Sequence, residues 1–360
     1  MSFLFNKFEE FVDPTWCPKL AAELKAEKAG KPVLIVSDGL GVNSMAMKIR
    51  MRDMGIVPDA IVFADTGGEK IDTYLHFVEA NRWCRESGFP EITVVRHVPA
   101  IAPYRSLYGK CWKNSTVPSL AYKKGECSMT WKHNAIDGFV NSFGPALEAW
   151  EAGDSVARAI GYDASPADKR RKATADKRGY NAVEYAIGFD AGPADLRRKK
   201  RADGINAEGK GNSNCKGPIG FWYPLVEAEW DRDKCEEVIE AEGITVPVKS
   251  ACFFCPAMTK PEIADLADRD PVHYAMAMAL DARYVASKHY REDGFVKGLG
   301  MGGWSWNDHA NEVGLPVIES PAATHADETG LPLCGDCNGC GGGCSSDLVS
   351  PGFGSLWEVV

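Results

Sequence analysis

Between residues 31 and 97 short apolar runs alternate with helical stretches, and this alternation constrains the fold more than any other feature of the chain. KPVLIVS is a β-rich apolar run bounded by Pro and Gly, the pattern of a buried strand. DGLGVNS follows, then MAMKIRMRDMG, a helical stretch ending at Gly55. PDAIVFADTG predicts a second strand running into a polar loop. IDTYLHFVEANRWCRESG predicts a helix closed by Gly88, and EITVVRH a third strand. Strands separated by helices at this spacing imply an α/β fold with a parallel, doubly wound, Rossmann-like sheet of about five strands.

Around that core the composition changes along the chain. Residues 1–30 read as a helical segment stopped by Gly30, and residues 31–145 as the α/β core. Residues 146–215 form a polar, basic insertion in which IGYDASPADKRRK at Ile160 recurs as IGFDAGPADLRRK at Ile187. Two copies are too few for a solenoid, so a local duplication is the simpler reading. Residues 216–320 resume strand and helix character and contain a C-x-x-C, while 321–360 form a Gly- and Cys-rich tail. The formal charge of −9 argues against nonspecific nucleic-acid binding by the whole surface. Acidic residues interrupt the N-terminal apolar run, and no run has membrane-spanning length. A cytoplasmic enzyme is the expectation.

Two loops carry the chemistry. Ser37-Asp38-Gly39-Leu40-Gly41-Val42-Asn43-Ser44 lies between the first strand and its helix. Glycines there let a ligand approach the backbone, and the following helix N-terminus favours an anion. Asn43 and Ser44 can cap that helix or donate hydrogen bonds to phosphate oxygens. The second loop, Asp65-Thr66-Gly67-Gly68-Glu69, leaves the next strand at the end where open α/β sheets bind ligands. Asp65 and Glu69 are candidates for Mg²⁺ or ribose hydroxyls, Thr66 and Gly67 for phosphate. For either loop alone, an ordinary strand–helix turn is the competing reading.

These residues resemble a family. S-x-G-x-G-x-N-S is similar to the PP-loop of N-type ATP pyrophosphatases and phosphoadenosine phosphosulfate (PAPS) reductases. FADTGGEKIDTY is similar to the D-T-G-x-E-x-x-x-T-Y segment of the PAPS-reductase branch. YPLVEAEWDRDKCEEVI and KSACFFCP resemble later blocks. The resemblance runs discontinuously from about residue 31 to 260. It implies an adenine-nucleotide α-hydrolase-like (HUP-type) fold that takes ATP, or APS/PAPS, with Mg²⁺, and with Ser37, Gly39, Gly41, Val42, Asn43 and Ser44 around phosphate.

Twelve cysteines are many for a reducing compartment and suggest metal ligation or redox chemistry. Iron–sulfur sulfonucleotide reductases carry a C-C-x-x-x-K-x-x-P-L segment and a distant C-x-x-C. Cys127 to Ile136 resembles the first with Ser128 replacing one cysteine, and Cys252 and Cys255 supply the pair. With Cys235 as the replacement, the resemblance implies four thiolates for a [4Fe–4S] cluster or Zn²⁺. Buried free thiols are the alternative for Cys127 and Cys235. Cys334, Cys337, Cys340 and Cys344 have ferredoxin-like spacing without the usual proline, which suggests a second metal site, with zinc or a resolving thiol as alternatives.

The E-C-G-L-H segment of thioredoxin-dependent reductases has no match here. The resemblance therefore favours ATP-dependent adenylylation of a substrate, for sulfur insertion or nucleic-acid modification, as in the DNA phosphorothioation members. APS/PAPS reduction to sulfite and a non-catalytic nucleotide-sensing or DNA-associated protein with a structural metal are the alternatives. A nucleic acid or a sulfur donor is the implied partner. Lys132, Lys249 and a repeat arginine, taken as Arg197 although Arg170, Arg171 and Arg198 compete, are candidates for charge stabilisation. Gly204 to Lys210 matches part of a Walker A motif, but Gly211 stands where Ser or Thr is required.

Overall fold

A computed structural model of the chain describes residues 33–100, 103–154, 156–161, 164–166, 169, 215–217 and 219–317. The N-terminal segment, most of the insertion with Arg197 and the second repeat copy, and the tail with Cys334, Cys337, Cys340 and Cys344 lie outside the described residues.

The elements follow the predicted alternation. Strand β1 (Leu34–Asp38) leads to α1 (Val42–Asp53), β2 (Ala60–Asp65) to α2 (Ile71–Glu86), and β3 (Ile92–Arg96) to α3 (Leu107–Asn114). Residues 126–140 then form one helical run, α4, whose middle, Met129–His133, has π geometry. Next come α5 (Gly144–Glu151), β4 (Val156–Ile160), β5 (Ile219–Trp222), α6 (Pro224–Glu227) and α7 (Arg232–Ala241). The described chain ends in α8 (Lys260–Arg269), α9 (Pro271–Val285) and α10 (Trp306–Val313).

The five strands are all parallel, in the order β3-β2-β1-β4-β5. Alternation along β1 sends Leu34 and Val36 to a core built with α1, α2 and α7, and Ile35 to a second core built with α4 and α5. Both faces are covered, which is why these strands read as continuous apolar runs. A third apolar cluster gathers α3, α9 and α10 around Phe253 and Phe254. The fold is α/β and Rossmann-like, as the sequence predicts.

One boundary differs. Residues 156–160, read from sequence as part of the insertion, form β4 beside β1 in the middle of the sheet. Arg158 within VARAI hides the strand in the sequence, yet Arg158 is buried there with Asp137 as its ion partner. Any insertion starts after Ile160.

Candidate nucleotide-binding site

Strand order reverses direction at β1, whose neighbours are β2 on one side and β4 on the other. The crevice outside the strand ends at such a switch point is where open α/β sheets bind ligands. The Ser37–Ser44 loop opens there. The register pairs Ser37 with Val62 and Asp38 with Phe63, so the loops after β1 and β2 leave the same edge of the sheet.

The first loop is held from beneath. Asp38 accepts from the Leu40 N–H at 2.7 Å and pairs with Lys48 of α1 at 2.5 Å, both side chains fully buried. Burial works against the Lys48 ammonium, but the adjacent carboxylate more than offsets it and raises the pKa. Leu40 takes a left-handed conformation at φ 50° while its side chain enters the core. That strained turn swings the chain into α1. Helix α1 begins at Gly41 with no side-chain cap and no acidic residue in its first turn. A helix N-terminus without a side-chain cap suits an anion, since first-turn N–H groups have no partner within the helix.

Each predicted contact of this loop has a distinct place. Ser37 accepts two hydrogen bonds from Arg158, at 3.1 and 3.2 Å. Ser44 Oγ accepts from the Gly39 N–H at 2.9 Å and closes the loop on itself. Val42 buries its side chain in the core, so only its backbone faces the loop. Asn43 is half-buried. A side chain on Gly161, just past β4, would meet the Asn43–Ser44 peptide at 3.0 Å. The start of the first repeat copy is therefore packed against this loop.

The second loop is just as constrained. Asp65 is buried and accepts from the Gly67 N–H (2.7 Å), Tyr74 (2.9 Å) and Arg96 (2.8 and 2.5 Å). Those donors occupy both oxygens, so Asp65 shapes the bend and is not free for Mg²⁺ or ribose as the sequence suggested. Glu69 is buried, with Oε1 bound to Lys132 (3.0 Å) and Thr66 (3.1 Å). Its Oε2 is buried without a hydrogen-bond partner, the one orphaned acceptor of the bend among the described residues. Lys132 sits in the π segment of α4, a distortion common at functional sites, and its side chain is 34% exposed. Burial opposes its charge, and Glu69 with the nearby thiols outweighs burial, raising its pKa. Lys249 is exposed and pairs with Glu262 at 3.2 Å.

The C-x-x-C segment is stitched to this bend. Glu69 bridges Cys252, the Lys70 N–H donates to Ala251 at 3.1 Å, and the Phe253 N–H to Gly68 at 2.9 Å. Ser250 Oγ lies 3.0 Å from where a Gly41 side chain would start. Both loops and the segment around Cys252 thus meet at one place.

The thiols do not assemble as predicted. Cys235 is wholly buried in the α1–α7 core with Leu225 and Ile239, whereas Cys127 and Cys252 pack against the cluster around Phe253. The amphipathic pattern of α7 turns Cys235 inward, into a different core from the one Cys127 and Cys252 pack against. Burial pushes the Cys252 and Cys255 thiols up, with Glu69 adding to the effect at Cys252. Cys111, overlooked in the sequence, shares the cluster with Cys127, and its thiol is pushed up to about 12 chiefly by burial. No three His, Cys, Asp or Glu side chains among the described residues are grouped to hold a metal ion. The described cysteines therefore do not fit a [4Fe–4S] or tetrahedral Zn²⁺ site.

Sequence reasoning also missed Asp38, Lys48, Arg96 and Arg158. Lys48 interrupts an apolar helix face and Arg158 an apolar strand; those interruptions were the available signals.

His76 of α2 lies against the Lys48–Asp38 pair and Glu79, and both its ring nitrogens lack hydrogen-bond partners. Burial, with Lys48 next, lowers its pKa from 6.5 to about 4. The folded state thus binds fewer protons than the unfolded one between these values, so stability present above pH 6.5 falls as pH drops towards 4. The loss is on the order of 3 kcal/mol. Urea midpoints across this window are expected to decline in the natural protein and to decline less in His76→Leu; equal slopes would contradict the assignment.

No family model matches the chain, and no curated protein matches it. Its fold is similar to solved structures. One is a phosphoadenylyl-sulfate (PAPS) reductase from Candida auris in a phosphate complex, 14% identical, covering 67% of this chain and 85% of that one, with a TM-score of 0.33. Another is the U34-tRNA thiolase NcsA from Methanococcus maripaludis with its [4Fe-4S] cluster, 12% identical, covering 81% and 83%, with a TM-score of 0.30. The described helices include none long and apolar enough to cross a membrane.

Proposed function

We propose that the chain is a PP-loop-type enzyme that binds an adenine nucleotide at the β1–α1 loop and adenylylates a substrate for sulfur insertion or nucleic-acid modification. The observation that supports this best is the uncapped start of α1 at the switch point, walled by the Asp65–Glu69 bend and Ser250. The loop's backbone N–H groups would bind the triphosphate. A substrate oxygen then attacks the α-phosphorus; the new O–P bond forms as the α–β bridging bond breaks, and pyrophosphate leaves with the bonding electrons. Such a step needs positioning and cationic stabilisation more than an acid–base pair. Lys132, held by Glu69, is the candidate cation at the bend. Mg²⁺ would travel on the nucleotide, because Asp65 is already engaged. The orphaned Glu69 Oε2 is the acceptor left for a ligand hydroxyl or a metal-bound water. Iron, sulfide and zinc analysis of anaerobically purified protein tests the metal expectation, including the tail cysteines outside the described residues.

Calorimetric titration with ATP, APS and PAPS tests the nucleotide, and pyrophosphate release over a substrate panel tests the reaction. Ser44→Ala removes the hydroxyl that closes the loop and is expected to weaken ATP binding about five- to tenfold, at about 1 kcal/mol in stability. Sulfite from APS or PAPS would favour reduction, and binding without turnover a sensing role. A protein that binds none of the three nucleotides would defeat the reading.

A further inference from the structure

A cavity of about 980 Å³, with no residue of either loop among its described lining, lies between α3, the 3₁₀ turn Ser119–Tyr122 and the segment after α9. Lys110, Lys113, Lys124, Lys288 and His289 line it, and no Asp or Glu is among its described lining residues. The chain as a whole has the opposite balance, 50 acidic against 41 basic residues. None of the four lysines forms an ion pair with a described carboxylate. Lys113 can be read as a partner for the C-terminal dipole of α3, which favours a cation in the last turn. That reading does not extend to Lys124 or Lys288, which belong to other segments. Gathering four ammonium groups in one concavity, with no carboxylate among its described lining residues, costs electrostatic energy that a bound anion would offset. The wall adds the short polar side chains of Asn114, Ser115, Thr116 and Ser119 as donors.

We propose that this cavity is a binding site for a phosphate chain, separate from the nucleotide loop. Its size suits several phosphate groups rather than one. Cys127 lines the cavity and packs, like Cys252, against the cluster around Phe253. The inference stands whether or not the β1–α1 loop takes a nucleotide. A free polyphosphate and a single-stranded nucleic acid share this chemistry.

The test uses the full chain, inorganic tripolyphosphate by calorimetry and a fluorescent ten-residue oligothymidylate by anisotropy, each at low and moderate salt. Lys113 and Lys288 are exposed, so K113E/K288E is expected to stay folded with natural ATP binding, its melting temperature lowered only slightly by the reversed charge in the last turn of α3. It should weaken the anion that uses the cavity about tenfold or more. If that anion is the oligonucleotide, the salt slope should also become shallower by about 1.4 for two lost phosphate contacts. Tripolyphosphate binding that responds to K113E/K288E while the oligonucleotide does not bind assigns the cavity to a free polyphosphate. A responsive oligonucleotide assigns it to a nucleic-acid strand. If neither anion binds, or the double reversal leaves both affinities unchanged, the proposal is wrong.

Discussion

Lys48→Met is expected to destabilise the protein by about 3–5 kcal/mol and to abolish nucleotide binding at accessible concentrations. The cost follows from what the substitution leaves behind. Asp38 is fully buried with Lys48 as its ion partner, and removing one member of a buried pair strands the other charge in a low-dielectric interior. The functional loss follows from the second task of Asp38, which holds the Leu40 N–H at 2.7 Å and with it the left-handed turn into α1. A carboxylate deprived of Lys48 would protonate or draw in water, and either change loosens that hold. Asp38→Asn in the same protein separates the two effects. The amide oxygen can still accept from Leu40, and the double variant leaves no charge buried at this pair, so most of the stability should return. Urea unfolding of both variants with ATP titration provides the check. A Lys48→Met protein with natural stability, or a double variant no better than the single one, would show that the pair does not organise the loop.

The same pair illustrates what the sequence could and could not reveal. The alternation of KPVLIVS, PDAIVFADTG and EITVVRH with helices was legible because strands buried on both faces must be apolar throughout, and the structure has the parallel sheet this implies. The two glycine-bearing loops were legible for a related reason: turns that leave a strand carry a local residue signature. Partnerships across distance were not. Lys48 and Asp38 are ten residues apart and read as a helix-surface charge and a loop polar residue until burial shows them facing each other. Arg158 made β4 look like insertion, although its Asp137 and Ser37 partners let a strand carry a guanidinium into the core. Asp65 has the right residue type for a metal ligand, yet Arg96 at the end of β3 consumes it, and register alone brings those two together. Cys235 fails by the same logic, since spacing counts cysteines but helix phase decides which way they face.

Gly67→Ala is expected to cost about 2–5 kcal/mol and to weaken ATP binding by more than Ser44→Ala does. Gly67 has φ 70°, a conformation that costs a residue with a Cβ about 1–2 kcal/mol. The new methyl would also lie 2.7 Å from Ser106 Cβ, and relieving such overpacking costs about 1–3 kcal/mol. Ser106 cannot retreat cheaply, because it caps α3 through the Gly109 N–H and its neighbour Leu107 donates to the Thr66 carbonyl at 2.9 Å. The strain is therefore expected to pass back along the bend. The Gly67 N–H supports Asp65 and the Gly68 carbonyl holds Phe253, so displacing this turn disturbs the Arg96 anchor and the join to the C-x-x-C together. Gly55 also has positive φ, but its added methyl would meet nothing within 4 Å, so Gly55→Ala carries the backbone penalty alone. Thermal unfolding and ATP titration of the two variants side by side separate strain from contact. A nucleotide affinity that falls for Gly67→Ala and holds for Gly55→Ala supports a bend that must keep its shape beside the phosphate chain; equal affinities would mean that the bend takes no part in binding.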